Sequence, residues 1–361
     1  MGGKEGGKME KTLRILFDAR VPVVFWGPPG VGKTACLEHF ARQVGAELIV
    51  PHVRSPEDFA LPVKTRKGVE VLPVAEFRKA VELTEAGKTV IVFLDELTTL
   101  PPAVQAAVLR FLDSGMVGSM RIPQSVWRIS AANPPEWAAG GWELSAPVAN
   151  RLIHIEWKLD PEEWCSGFIS YWGNPPNIPV DPEKWARARS FVVAYIRRFP
   201  HHLLVLPRSS NEIAWPSPRT WDFASRIIAA AGPENISDWL ELVTGAVGPV
   251  GYEFGHWVQN LDLPDPEEVL ASPETVKLPP RQDQLYALLI SVVTVVIYKL
   301  TPERWLKAWK LLARVAREHG ADVAAFAAHS LARERRGRLD LPLPVKELQE
   351  FYPVLQKAGL L

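Results

Sequence analysis

The sequence predicts an α/β protein: a parallel five-stranded sheet flanked by helices, then an α-helical lid and a C-terminal helical region. Three observations carry this prediction. Short apolar runs alternate with helical patterns through the first half, as they do when crossover helices join parallel strands. Two of the runs, Val23–Trp26 and 90–94, are continuously apolar, which suits strands covered on both faces. A glycine-rich loop at 27–34 lies between the first run and a helical pattern.

Each element has its own signal. Runs at 47–50, 126–132 and 152–157 add three strand candidates to the first two, and all five precede residue 160. After the glycine loop, Leu37, Phe40, Ala41 and Val44 recur at helical spacing, and Gly45 supplies a stop. Pro101-Pro102 opens a helix whose apolar face is Val104, Ala107, Val108, Phe111 and Leu112, ended by Gly115. Trp305, Trp309, Leu312 and Ala316 form a stripe on a helix from 302 to 319, closed by Gly320. Proline-rich stretches at 174–179, 215–219 and 260–283 read as changes of region, the second preceding a helix and the last an extended connector. The expected organisation is an unstructured segment over 1–11, a nucleotide-binding domain over 12–160, a helical lid over 161–260 and a helical extension over 261–361.

Composition narrows the function classes. The chain has 361 residues, 47% of them hydrophobic, enough for sizeable cores. Lys+Arg and Asp+Glu are both 41, so net charge argues for neither nucleic acid nor membrane, and any basic site must be local. Cys36 and Cys165 have no partner at metal-ligand spacing. The opening MGGKEGGKMEK lacks the apolar core of a signal peptide. The longest apolar run, 285–298, is too short to span a bilayer and reads as a buried helix. The expectation is a cytoplasmic protein.

The loop Gly27-Pro28-Pro29-Gly30-Val31-Gly32-Lys33-Thr34 matches G-x-x-x-x-G-K-[ST] in full. Its glycines let backbone N–H groups turn around phosphate oxygens, and the helix that follows points its positive end at the same anion. Lys33 adds charge between the β- and γ-phosphates, and Thr34 offers a hydroxyl to Mg²⁺. The expected ATP-binding set is 27–34 with Ala35 and Asp95. A buried strand at 90–94 ends in Asp95 and Glu96. Asp95 is expected beside Thr34, holding Mg²⁺ through water, and Glu96 polarises the attacking water. The next strand ends at Asn133, whose amide suits both γ-phosphate and water.

These motifs give the chain the look of a P-loop NTPase, and GPPGVGKT, FLDEL and SAANP resemble an AAA+ ATPase. More narrowly, four stretches resemble the MoxR branch, close to the dynein-related type: Ser55-Pro-Glu-Asp-Phe-Ala-Leu-Pro-Val, Pro101-Pro-Ala-Val-Gln-Ala-Ala-Val-Leu, Ala131-Ala-Asn-Pro-Pro and Ala146-Pro-Val-Ala-Asn-Arg151-Leu. The resemblance covers residues 12–230. It implies that Arg151 reaches a neighbouring subunit's ATP. It also implies that Arg219, in Ser217-Pro218-Arg219, serves the same subunit's phosphates. It further implies a hexameric ring and a partner protein, such as one with a von Willebrand factor A domain. In one place the chain departs from the branch: Leu97-Thr98-Thr99 stands where Ile-Asn-Arg is common.

Other features leave two readings open. A hairpin over 61–72 with Lys64, Arg66 and Lys67 at its turn either contacts an acidic polymer or protein segment or is a solvated tip. The loop Gly115-Met-Val-Gly-Ser-Met120 is an adaptable contact or a plain turn. Arg333, Arg335, Arg336 and Arg338 are a solvated helix end or a contact surface, and His201-His202 favours packing over metal. The leading function is a remodelling motor. The alternative is a nucleic-acid motor or a defence-system ATPase; neutral charge and the lack of a DNA-binding motif weigh against it.

Overall fold

The computed structural model describes residues 8–65, 68–134, 137, 141–209, 211–335 and 340–357. Arg66, Lys67, Arg336 and Arg338 lie outside them. The chain divides into two compact units between residues 159 and 160.

The first unit holds the sheet. In chain order it runs α1 (Lys8–Ala19), β1 (Val23–Trp26), α2 (Lys33–Gln43), β2 (Ala46–Ile49), β3 (Ala60–Thr65), β4 (Gly68–Pro73), α3 (Ala75–Glu85), β5 (Thr89–Leu94), α4 (Pro102–Ser114), β6 (Met116–Val117), β7 (Met120–Arg121), β8 (Trp127–Ala132), α5 (Ala146–Ala149) and β9 (Ile153–Glu156). The five expected strands form one sheet in the order β2-β5-β8-β1-β9, with every pair parallel. Burial follows that order. Central β8 is buried at every residue, β5 at all but its first, and edge strand β9 is largely exposed. One expectation is corrected. α1 begins at Lys8, inside the stretch 1–11 expected to lack structure. Leu13 and Phe17 are buried, and the Phe17 ring meets Phe40 and Trp127 edge-on. That apolar stripe gives the polar N-terminal segment a helix to join.

Two hairpins stand off the sheet. β3 pairs with β4 and β6 with β7, both antiparallel. The second hairpin braces the first: the Ser119 N–H and hydroxyl both donate to the Val71 carbonyl, at 2.8 and 3.0 Å. Gly118 makes the approach possible. Its φ is +58, and an added Cβ would run into the Val71 carbonyl oxygen and the Ala60 Cβ. Gly118→Ala is therefore expected to cost about 1–3 kcal/mol. An unchanged urea midpoint would show that the two hairpins do not pack.

The second unit is helical: α6 (Pro161–Ser170), α7 (Pro182–Arg198), α8 (Pro218–Ala231), α9 (Ile236–Val247), α10 (Val250–Gln259), α11 (Pro266–Ala271), α12 (Gln282–Tyr298), α13 (Pro302–His319), α14 (Ala321–Glu334), α15 (Val345–Leu348) and α16 (Tyr352–Lys357). Its prolines mark helix starts. Asp160, Asp181, Ser217, Asp265 and Thr301 each accept a first-turn N–H, and each precedes a proline at the first helical position. This corrects part of the extended connector expected over 260–283, whose residues 260–265 and 272–281 do stay outside helices. There the Asp265 cap starts α11, which buries Val269 and Leu270. The boundary expected at 260/261 also falls inside this unit. α12 is buried nearly all round, and its Ser291 shares a 2.8 Å hydrogen bond with Ser190 of α7. Among the described residues, no helix is long and apolar enough to cross a membrane.

Candidate active site

The strand order places one set of strand ends together. β1 lies between β8 and β9, and β5 lies on the far side of β8, so the C-terminal ends of β1, β8 and β5 are neighbours. Those ends carry the glycine loop, Asn133 and the acid pair. Open parallel sheets bind ligands at such a crevice, where the connections switch direction.

The loop is built for close backbone approach. Gly30 and Gly32 have φ of +78 and +89, the left-handed region that glycine enters without strain. At Gly27 the constraint is space, since a Cβ would stand 2.9 Å from the Cβ of Trp157. The Gly27 N–H donates to Ala132 O at 3.2 Å and so pins the loop to the end of β8. Val31 is buried beneath it. α2 starts at Lys33 after Gly32, and helix geometry leaves its first-turn N–H groups, that of Ala35 included, without partners inside the helix.

The Lys33 side chain is buried. Its ammonium donates to Gly27 O at 2.7 Å, Pro28 O at 3.0 Å and Asn133 Oδ1 at 2.9 Å. The loop's own carbonyls thus hold the charge at the loop's centre, and Asn133 reaches it across from β8. An arriving phosphate oxygen has to exchange for one of these acceptors, because an ammonium has three protons.

Thr34 and Asp95 also meet: the Thr34 hydroxyl donates to Asp95 Oδ2 at 2.9 Å. A hydroxyl and a carboxylate side by side are the hard oxygen donors that Mg²⁺ takes. Glu96 follows on the exposed side, its N–H donating to Asp95 Oδ1 at 2.9 Å. It has φ +55, an uncommon conformation for a glutamate. The Thr99 N–H and hydroxyl both bond Glu96 O, at 2.9 and 2.8 Å, and close the turn that holds it.

The two arginines are placed differently. Arg151 sits in the turn between α5 and β9. Its Nε is 3.1 Å from Asp113 of α4, and its guanidinium donates to Pro147 O at 3.0 Å. Arg219 belongs to the helical unit, exposed on the first turn of α8. A further bond orders that helix, since the indole N–H of Trp221 donates to His202 O at 2.8 Å.

Sequence reasoning missed several supports. Gln105 of α4 is buried on the helix's apolar side. Its amide donates to Leu100 O and Glu143 O, and its Oε1 accepts from the Ser145 N–H. Arg128 of β8 is buried and donates to the Phe111 and Leu112 carbonyls at the end of α4, while burial holds its pKa below the usual guanidinium value. The signal for Gln105 was available: a polar residue beside Val104 and Val108 on a face that otherwise packs.

Residues 22–147 match the family model of the AAA domain, dynein-related subfamily. That stretch runs from β1 to the start of α5 and holds the glycine loop, both acids and Asn133. Fold and site together define a P-loop nucleotide-binding domain, which over that stretch is similar to the AAA domain. Among solved structures, the chain is similar to the RuvB Holliday junction branch migration motor of Thermotoga maritima, at 17% identity over 84% of this chain and 88% of that one, with a TM-score of 0.35. It is also similar to NtrX of Brucella abortus in complex with ATP, at 15% identity over 93% and 69%, with a TM-score of 0.35. Likeness at this level says nothing of substrate or partner. No curated protein matches the chain.

Proposed function

We propose that this chain is a MoxR-like AAA+ ATPase. In this reading it works as a ring, of six subunits, in the cytoplasm, and couples binding and hydrolysis of ATP to the remodelling or maturation of a partner protein. The observation that supports hydrolysis most directly is the convergence at three neighbouring strand ends: Lys33 with Asn133, and Thr34 with Asp95. The nine residues from Gly27 to Ala35 bind the phosphates, and Lys33 neutralises charge on them. Thr34 and Asp95 would hold Mg²⁺, which when bound offsets the phosphate charge. Glu96 takes a proton from the attacking water, and Asn133 orients that water against the γ-phosphoryl group. Arg151 completes a neighbour's site, and Arg219 acts on the phosphates of its own subunit. The four stretches quoted above support the MoxR branch, and with it a partner carrying a von Willebrand factor A domain.

The first hairpin favours a polypeptide over a nucleic acid as the thing moved. Leu61, Val63, Val69 and Val71 are all exposed, up to 71% at Val69. By the strand register Leu61 and Val63 lie on one face of the hairpin and Val69 and Val71 on the other, so each face offers an exposed apolar pair for contact with protein. A phosphate backbone would draw instead on Lys64, Arg66 and Lys67 of the same hairpin, and binding through them would weaken steeply as salt rises. The test is a pull-down with Glu96→Gln, which should retain bound ATP and hold its substrate. Recovery of one protein that stimulates wild-type turnover is the expected result. Stimulation by DNA instead, lost steeply as salt rises, would replace this reading with the nucleic-acid motor.

A further inference from the structure

The short turn after the acid pair, where the chain departs from its branch, touches both halves of the hydrolytic site. Leu97–Thr99 is a single turn of 3₁₀-helix that starts at Glu96. Thr99 closes that turn on Glu96 O. Thr98 points the other way and is 1% exposed. Its hydroxyl donates to the main-chain carbonyl of Asn133 at 3.0 Å. Its own carbonyl accepts the Trp142 N–H at 2.7 Å. Asn133 needs such a hold. It stands one residue past the end of β8, where the ladder no longer fixes the chain, and Pro134-Pro135 after it supply no N–H donors.

We propose that Thr98 is a positioning residue. Its hydroxyl fixes Asn133 at a set distance from Glu96, so that the base and the γ-phosphate contact act on one water. This rests on the hydrolytic reading of Glu96 and Asn133. Proton transfer to Glu96 and orientation by Asn133 require both groups to be placed to a fraction of an ångström, and a displacement of about 1 Å costs on the order of 10²-fold in rate. The side chain of Asn133 reaches Lys33 on one side while Thr98 holds its main chain on the other. Loss of the Thr98 bond frees the amide without touching the phosphate loop.

The experiment compares Thr98→Val, which keeps the shape and removes the hydroxyl, with Thr98→Ser, which keeps the hydroxyl and removes a methyl. Thr98→Val should lower kcat by about tenfold or more, with KM for ATP and nucleotide affinity changed by less than about threefold. Thr98→Ser should restore most of the turnover. In an Asn133→Ala background, Thr98→Val should cost little more. Thr98→Ala serves if Thr98→Val does not fold. A purely structural role predicts the reverse, with turnover following Tm and serine no better than valine. Either that pattern or a wild-type rate in Thr98→Val, beside a slowed Asn133→Ala, overturns the proposal alone. Undiminished turnover in Asn133→Ala would sink the hydrolytic reading and the Thr98 role with it.

Discussion

Glu96→Gln should bind ATP as wild type does and lose roughly 10²–10⁴-fold in kcat, the range for removing a general base. The change keeps the side chain's size and hydrogen-bonding reach and removes its ability to take a proton. Lys33, Thr34 and Asp95 keep their contacts, so affinity for ATP should stay within about threefold. A second variant separates chemistry from strain. Glu96 holds φ +55. A non-glycine residue in the left-handed region carries about 1–2 kcal/mol of strain. Glu96→Gly should therefore lose turnover as fully as Glu96→Gln and yet unfold no earlier than wild type. A residue that destabilises its own turn and is needed for rate is one whose conformation serves chemistry. Single-turnover hydrolysis with a parallel melting curve checks both halves. Undiminished hydrolysis in Glu96→Gln would remove Glu96 from the role of base.

The sheet was legible in the sequence because its central strands β1, β5 and β8 are buried on both faces. Continuous apolar runs such as Val23–Trp26 can hardly be anything else when a glycine loop and a helical pattern follow. The nucleotide motif was legible because phosphate chemistry requires fixed residue types at fixed spacing. What escaped was set by tertiary contact. Proline was read as a linker at 260–283, yet Asp265-Pro266 caps and starts a helix; only the burial of Val269 and Leu270 makes that stretch worth folding. The N-terminal helix was missed because Leu13 and Phe17 are few, and they count only when Phe40 and Trp127 lie beneath them. At the site, the residues that touch substrate in our reading were named from sequence. Thr98 holds the main chain of Asn133, while Gln105 and Arg128 tie down main-chain atoms around α4, and these contacts join residues separated in sequence. No periodicity or motif reports such a contact. Thr98 stood out in sequence only as a departure from the branch, and the role proposed for it rests on its 3.0 Å bond to Asn133.

Arg151→Ala should lower turnover by roughly 10³-fold or more, as loss of an arginine finger does, with ATP still bound. The loss should be repairable by another subunit. The sheet's topology supports this. All five strands are parallel, and the glycine loop follows the C-terminal end of β1. Arg151 precedes β9 and so lies at the other end: Ile153 is in register with Val23, and the Ile153 N–H bonds Pro22 O. From Pro22 to Gly27 the strand rises roughly 16 Å, more than twice what an arginine side chain spans. Within one subunit, then, Arg151 is at the wrong end of the sheet for its own γ-phosphate. Asp113 and Pro147 O hold it there. A role in transfer requires a second copy in head-to-tail contact, and such contacts close a ring when the rotation allows. Mixing supplies the decisive measurement. Arg151→Ala subunits have an intact phosphate loop, and Lys33→Ala subunits have an intact arginine. Each alone should be nearly inactive. In an equal random mixture about a quarter of the interfaces pair a good loop with a good arginine, so turnover should recover to about a quarter of wild type. The recovery should also fall on dilution, because the site exists only in the assembly. A mixture no more active than its two components would count against a trans arginine, and with it the shared site on which the proposed ring rests.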